Sequence, residues 1–248
     1  MNGEAPNPNE ALLDALLQEF RQRHGDDLVA VVLYGSSAVE GLADDYSDLN
    51  VLALFRSMPV QRVRGHVPAM AEWEEAGNAP PQLMTLAEWR SAADVFPMEY
   101  ADILESHRVL YGSLPPGVEG VAQQQLRMEL ERDALGGLIQ LRRGLLGAGG
   151  DRDDEVQLLT HALGTFMAIG RALARLHGEV PPHDHAAVAR RTGELAGFEP
   201  EAFLRVLDHR SGRRPIEDED LDDVVAGYVA GVTRLARHVN SLDWPEGS

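Results

Sequence analysis

The sequence predicts a small α+β domain followed by an all-α antiparallel helical bundle, and three observations carry that prediction. Residues 28–33 form an unbroken, valine-rich apolar run between Asp26-Asp27 and Gly35, the pattern of a strand buried on both faces. Residues 49–55 form a second, mainly apolar run. Beyond the cluster Gly112-Ser-Leu-Pro-Pro-Gly117, apolar residues recur only at the three- and four-residue spacings of helices. That glycine- and proline-rich cluster is the expected boundary, giving domains over 1–114 and 118–248.

Each element follows from a local pattern. Leu12, Leu13, Leu16, Leu17 and Phe20 recur at helical spacing, so a helix is expected over 9–24, capped by Asn9 and ended by Gly25. The first strand ends at Gly35-Ser36, where the backbone must turn sharply and can approach a ligand. A short helix over 36–42 and the Asp44-Asp45-Tyr46-Ser47 loop lead to the second strand. Side chains alternate along a strand, so Asp48 and Asn50 share one face and Leu49 and Val51 the other. A helix over 59–77 is expected to turn Val60, Val63, Val67 and Met70 inward. Residues 80–86 read as a third strand behind a turn at 78–81, and 87–93 as a helical turn or two. Residues 98–110 read as further helix with a short strand at 108–111.

In the second half, helices are expected over 121–146, 156–176, 185–195, 201–209 and 217–240. Gly147-Ala-Gly-Gly150 and Gly178-Glu-Val-Pro-Pro182 break the first two. The last opens on acids and closes with Arg234, Arg237 and His238, which suits the helix dipole. Short connections imply antiparallel neighbours.

Composition excludes several classes of function. A formal charge of −18 argues against a protein that coats nucleic acid. The chain has no cysteine, which removes disulfides and thiolate chemistry. It also has no lysine, so no lysine acts as nucleophile, base or phosphate ligand. The N-terminus lacks the basic and apolar regions of a signal peptide. The segment 156–176 is interrupted by His161, Arg171 and Arg175 and is too polar to span a bilayer. A cytoplasmic protein is expected.

Gly35-Ser36, the spacer 37–47 and Asp48-Leu49-Asn50 resemble the signature of the polymerase-beta-type nucleotidyltransferase superfamily. In that family an apolar strand ends in Gly-Ser, and after roughly ten residues an Asp-x-Asp or Asp-x-Glu pair opens the next strand. The chain is closer still to bacterial members with Ser-Asp-Leu-Asn at this point and with counterparts of Phe96-Pro-Met-Glu-Tyr100 and His107-Arg-Val-Leu-Tyr-Gly112. The layout, with a helical second half, is similar to that of aminoglycoside nucleotidyltransferases. The resemblance implies the nucleotidyltransferase fold, with a small mixed sheet. It implies transfer of a nucleoside monophosphate from a triphosphate such as ATP to a hydroxyl of a small-molecule or protein acceptor. Gly35, Ser36 and Ser37 would then hold the phosphates, and Asp48 and Asn50 would hold magnesium, a hard cation that takes oxygen ligands.

Asn50 departs from the family pattern, because an amide stands where the second carboxylate is expected. The third strand offers Gln82, Leu83, Met84 and Thr85, and no acid. Glu88, Glu99 and Asp102 are the candidate replacements. Glu99 is the expected catalytic carboxylate beside Asp48, because it matches the closer members. The alternative is a catalytically degenerate member that binds a nucleotide or a partner.

Four further signals remain, three of them with plain structural readings. His107-Arg108 reads as an ion-paired structural element, with phosphate binding by Arg108 as the rival. His183-Asp184-His185 reads as a helix cap rather than a metal cluster. Trp73, Trp89 and Trp244 read as core or rim residues. Arg171 and His177 have the spacing seen in HEPN-type ribonucleases, which implies a third possible activity in the helical half.

Overall fold

The computed structural model describes residues 8–38, 49–116 and 121–242. Chain contacts divide it into two units, Met1–Val95 with Tyr100–Val121, and Phe96–Glu99 with Ala122–Ser248. The first is α+β and the second all-α, the fold class expected from sequence.

The first unit is built on a mixed four-stranded sheet. Strands β1 (Leu28–Tyr34), β2 (Asn50–Phe55), β3 (Gln82–Thr85) and β4 (His107–Gly112) lie in the order β3-β2-β1-β4. β1 runs antiparallel to β2 and β4, and β2 runs parallel to β3. Valine-rich β1 is central, so both of its faces are covered. On one face Val31 and Leu33 pack with Val51, Ala53 and Phe55 against Leu13, Leu16 and Phe20 of helix α1 (Pro8–His24). On the other, Ala30, Val32, Leu52 and Leu54 pack against Trp89, Tyr100 and Ile103. These come from helices α4 (Leu86–Arg90) and α5 (Pro97–Glu105). Trp73 and Trp89 are core residues, while Trp244 lies outside the described residues.

One expectation is corrected. The helix over 59–77 is two helices, α2 (Val60–Gly65) and α3 (Val67–Glu75), broken at His66 with Pro68 in the first turn of α3. Proline has no N–H to continue the α2 ladder and favours the first turn of a new helix. The break changes the buried face. Val60, Val63 and Val67 are exposed, while His66, Met70 and Trp73 turn toward the core at spacings of four and three. Of the short helix expected over 36–42, Ser36–Ala38 forms a 3-10 turn, and 39–42 lies outside the described residues.

The second unit contains α6 (Gln123–Ala148), α7 (Arg152–Leu176), α8 (His185–Ala196), α9 (Glu201–Arg210) and α10 (Asp218–Ser241), each within a few residues of its expected span. Its centre is aromatic: the Phe203 ring lies 3.9 Å from Phe166 and 4.3 Å from Tyr228. None of the described helices is long and apolar enough to cross a membrane.

Candidate functional site

The turn after β1 brings the glycine of the motif against the start of β2. Tyr34 pairs with Asn50 across the antiparallel ladder, so the next residue, Gly35, sits at the open end of both strands. Gly35 has φ +81°, a left-handed conformation that glycine adopts at little cost. A β-carbon placed on it would lie 3.6 Å from Asn50 Nδ2, so this amide borders the turn directly. The Gly35 N–H donates to the Ser106 carbonyl at 3.1 Å, and its own carbonyl accepts from the Ala38 N–H at 3.1 Å. The turn is thereby fixed to the segment just before β4. Ser36 is half-buried; Ser37 is buried and already engaged within the protein.

The entry to β2 is held from a second side. The Leu49 N–H donates to Asn78 Oδ1 at 2.9 Å, and both residues are buried. Sequence reasoning placed Asn78 in a turn and missed this role, because the contact spans 29 residues. Asn50 is half-buried and, by strand alternation, lies on the face of Leu52 and Leu54. Asp48, Asp44 and Asp45 lie outside the described residues. Among the described residues no three His, Asp or Glu side chains gather into a metal-binding group.

The three replacement carboxylates separate. Glu88 closes a capping box at the start of α4: its Oε2 accepts from the Thr85 N–H at 2.6 Å while Thr85 Oγ1 accepts from the Glu88 N–H. It is thereby accounted for as a helix cap. Asp102 is buried in α5 of the first unit. Glu99 is half-buried in the first turn of α5, a turn that clusters with the helical unit. There the Met98 N–H donates to the buried Glu129 carboxylate at 2.8 Å, and burial raises the Glu129 pKa.

The remaining signals follow their structural readings. Arg108 pairs with Glu10 at 2.7 Å on the surface. Asp184 is the N-cap of α8, accepting from the Ala187 N–H at 2.7 Å. Arg171 lies within α7 and His177 caps its end; six residues along a helix leave them roughly 120° apart in direction.

One buried polar pair was not anticipated. His24 Nε2 lies 2.9 Å from His66 Nε2, with the Phe20 and Phe55 rings packed around them. Burial lowers the pKa of both, that of His24 to about 4. The pair belongs to the α1 face of the sheet, opposite Asn50, and joins residues 42 apart in sequence.

No family model matches the chain. It is 40% identical over 55 residues to a candidate protein adenylyltransferase of Methanocaldococcus jannaschii, a stretch that is 22% of this chain and 37% of that relative. The structure superposes with a TM-score of 0.59 on the crystal structure of a spectinomycin adenyltransferase of Enterococcus faecialis with ATP and spectinomycin. That match covers 94% of this chain and 99% of the other, at 12% identity. The fold is that of a nucleotidyltransferase.

Within this nucleotidyltransferase fold, the segment 35–50 joins the two central strands, and its ends meet at Gly35 and Asn50. The donors that the motif supplies are all oxygens: the hydroxyl of Ser36, the amide of Asn50 and, in sequence, the carboxylate of Asp48. Magnesium takes such a set, and the absence of cysteine leaves no thiolate to favour a softer ion.

Proposed function

We propose that the first unit binds a magnesium nucleoside triphosphate and that the protein transfers the nucleoside monophosphate to a hydroxyl of a small-molecule acceptor. The observation that carries this reading is the left-handed Gly35 turn, which a β-carbon would bring to 3.6 Å from the Asn50 amide, at the point where the resemblance implies phosphate and metal. The two relatives described above bear names that denote adenylyl transfer, which makes ATP the nucleotide to test first. The reaction forms a bond between the acceptor oxygen and the α-phosphorus, breaks the bond to the bridging oxygen, and releases pyrophosphate. The acceptor proton passes to a base.

In this proposal the Gly35 backbone and Ser36 face the phosphates, with Ser37 supporting the turn from its buried position. Asp48 and Asn50 ligate the metal, which would neutralise charge on the phosphates. Glu99 is proposed as the further carboxylate on the family resemblance. Incubation with ATP labelled at the α-phosphate and a panel of hydroxyl-bearing acceptors, antibiotics and proteins included, should transfer label. Asp48→Ala should abolish that transfer, and Glu99→Gln should lower it at least tenfold. Transfer that survives Asp48→Ala would refute the site.

Asn50 favours a second reading, in which the fold binds a nucleotide without turning it over. An amide brings an oxygen but no charge, so metal affinity falls relative to a two-carboxylate site. Calorimetry separates the two readings. Magnesium-ATP binding without transfer to any acceptor, tightened by Asn50→Asp, supports the binding protein.

A further inference from the structure

A cavity of about 400 Å³ opens between α6, α7 and α10, lined entirely by residues of the helical unit. Its lining residues recur along each helix at spacings of three and four, so each helix turns one face to it. The floor is buried and apolar, with Leu141 of α6, Phe166 and Ile169 of α7, and Leu235 of α10. Gln140, His161 and Thr165 are exposed and form a polar mouth. A volume of this size, apolar below and polar at the rim, suits a small organic molecule.

Two features distinguish this cavity from a packing defect. The first is Gly136-Gly137, which lines it from the middle of the 26-residue α6. Glycine weakens a helix interior relative to alanine, so it needs a reason there. Elsewhere in the bundle the reason is close packing: a β-carbon on Gly144 would clash with Leu158, and one on Gly170 with Thr192. On Gly136 or Gly137 it would meet nothing within 4 Å. The pair therefore leaves room in the wall that no neighbouring side chain takes up. The second feature is Tyr228, which lines the cavity and is fully buried. Its hydroxyl has no hydrogen-bond partner among the described residues. A buried hydroxyl left unpaired is costly, and native proteins seldom keep one. Burial pushes its pKa up, so the group holds its proton and offers an O–H donor. The apolar floor around it suits an organic oxygen acceptor better than a water, which needs two to four polar partners. Charge narrows the ligand further. Among the described residues the lining has one carboxylate, Asp133, already paired with Arg132 at 2.9 Å, and no arginine. The wall calls for an uncharged molecule.

We infer that this cavity is a binding site for an uncharged, largely apolar small molecule with one oxygen that accepts the hydrogen bond of the Tyr228 hydroxyl. The inference does not rest on the nucleotide chemistry, and its test uses no ATP. Prodan, an uncharged naphthalene ketone whose emission responds to polarity and hydrogen bonding, has this chemistry and serves as the probe. Fluorescence titration of the full chain should saturate at one prodan per molecule, with emission shifted to the blue. Gly137→Leu fills the open space and favours the helix, so it should fold and weaken binding at least tenfold. Tyr228→Phe should weaken prodan binding about tenfold, the worth of one hydrogen bond, and move the bound emission further to the blue. The same change should leave the affinity for naphthalene, which has no acceptor oxygen, unaltered. Its thermal midpoint should be equal to that of the wild type or higher, because an unpaired hydroxyl is removed. A wild type that binds no prodan saturably overturns the inference, as does an affinity unchanged by Gly137→Leu. Prodan affinity unchanged by Tyr228→Phe, or a lowered thermal midpoint in that variant, overturns the assigned hydrogen bond.

Discussion

Gly35 shows how one residue can be legible in sequence and still need coordinates to be understood. A Gly-Ser pair after an apolar run predicts a turn, and the turn is there. Its left-handed φ and its neighbour Asn50 come from the pairing of β1 with β2, which joins positions far apart in the chain. Gly35→Ala would place a β-carbon at an ordinary contact distance from Asn50, so the cost lies in backbone strain rather than a clash. An L-residue in this region costs about 1 kcal/mol. The urea midpoint should fall accordingly, and any nucleotide affinity measured for the wild type should fall further, because the turn re-forms beside Asn50. Equal stability in the two proteins would mean the turn is not held in this conformation.

At the scale of elements, strands and long helices were read from sequence with little error, because hydrophobic period and glycine or proline breaks act locally. α7 and α10 match their expected spans apart from a few terminal residues. The segment 59–77 was misread because its valines fit one continuous helix, while Pro68 makes two. Which face of a short helix is buried depends on its neighbours, and there His66 and Trp73 displaced the valines. Close packing between elements is equally hidden from sequence. Gly231 of α10 lies against Phe203, and a β-carbon on it would fall 2.5 Å from Cε2 of that ring. Phe203 is stacked on Phe166 and packed on Tyr228, so it has little room to yield. Gly231→Ala should destabilise the helical unit by about 1–3 kcal/mol, read from thermal unfolding followed by circular dichroism. An unchanged midpoint would show that α10 shifts freely.

At the scale of the whole molecule, the two units should answer acid differently. The reason is the His24–His66 pair, which the first unit buries and which meets Glu19, Arg23, Asp27 and Arg62 at its edges. Asp27 is held below the usual carboxylate range by its hydrogen bond to Arg62, so it stays ionised as the histidines titrate. In the folded state both histidines are held below their ordinary value of 6.5, His24 at about 4. Unfolded, they take up protons as pH drops below 6.5. The unfolded state then binds more protons than the folded one, so stability present at neutral pH is lost progressively between about pH 6.5 and pH 4. A competing effect acts on the whole chain: acid reduces the net charge of −18 and relieves self-repulsion. The probes distinguish them. Trp73 and Trp89 are both buried in the first unit, whereas the long helices of the second dominate the circular dichroism. In a Trp244→Phe background, the fluorescence midpoint should fall more steeply than the dichroism midpoint between pH 7 and 5. Replacing His24 and His66 together by leucine should remove that difference, because the charge effect remains and the proton uptake does not. Equal shifts in both signals, unchanged by the double replacement, would show that the pair does not govern the acid response.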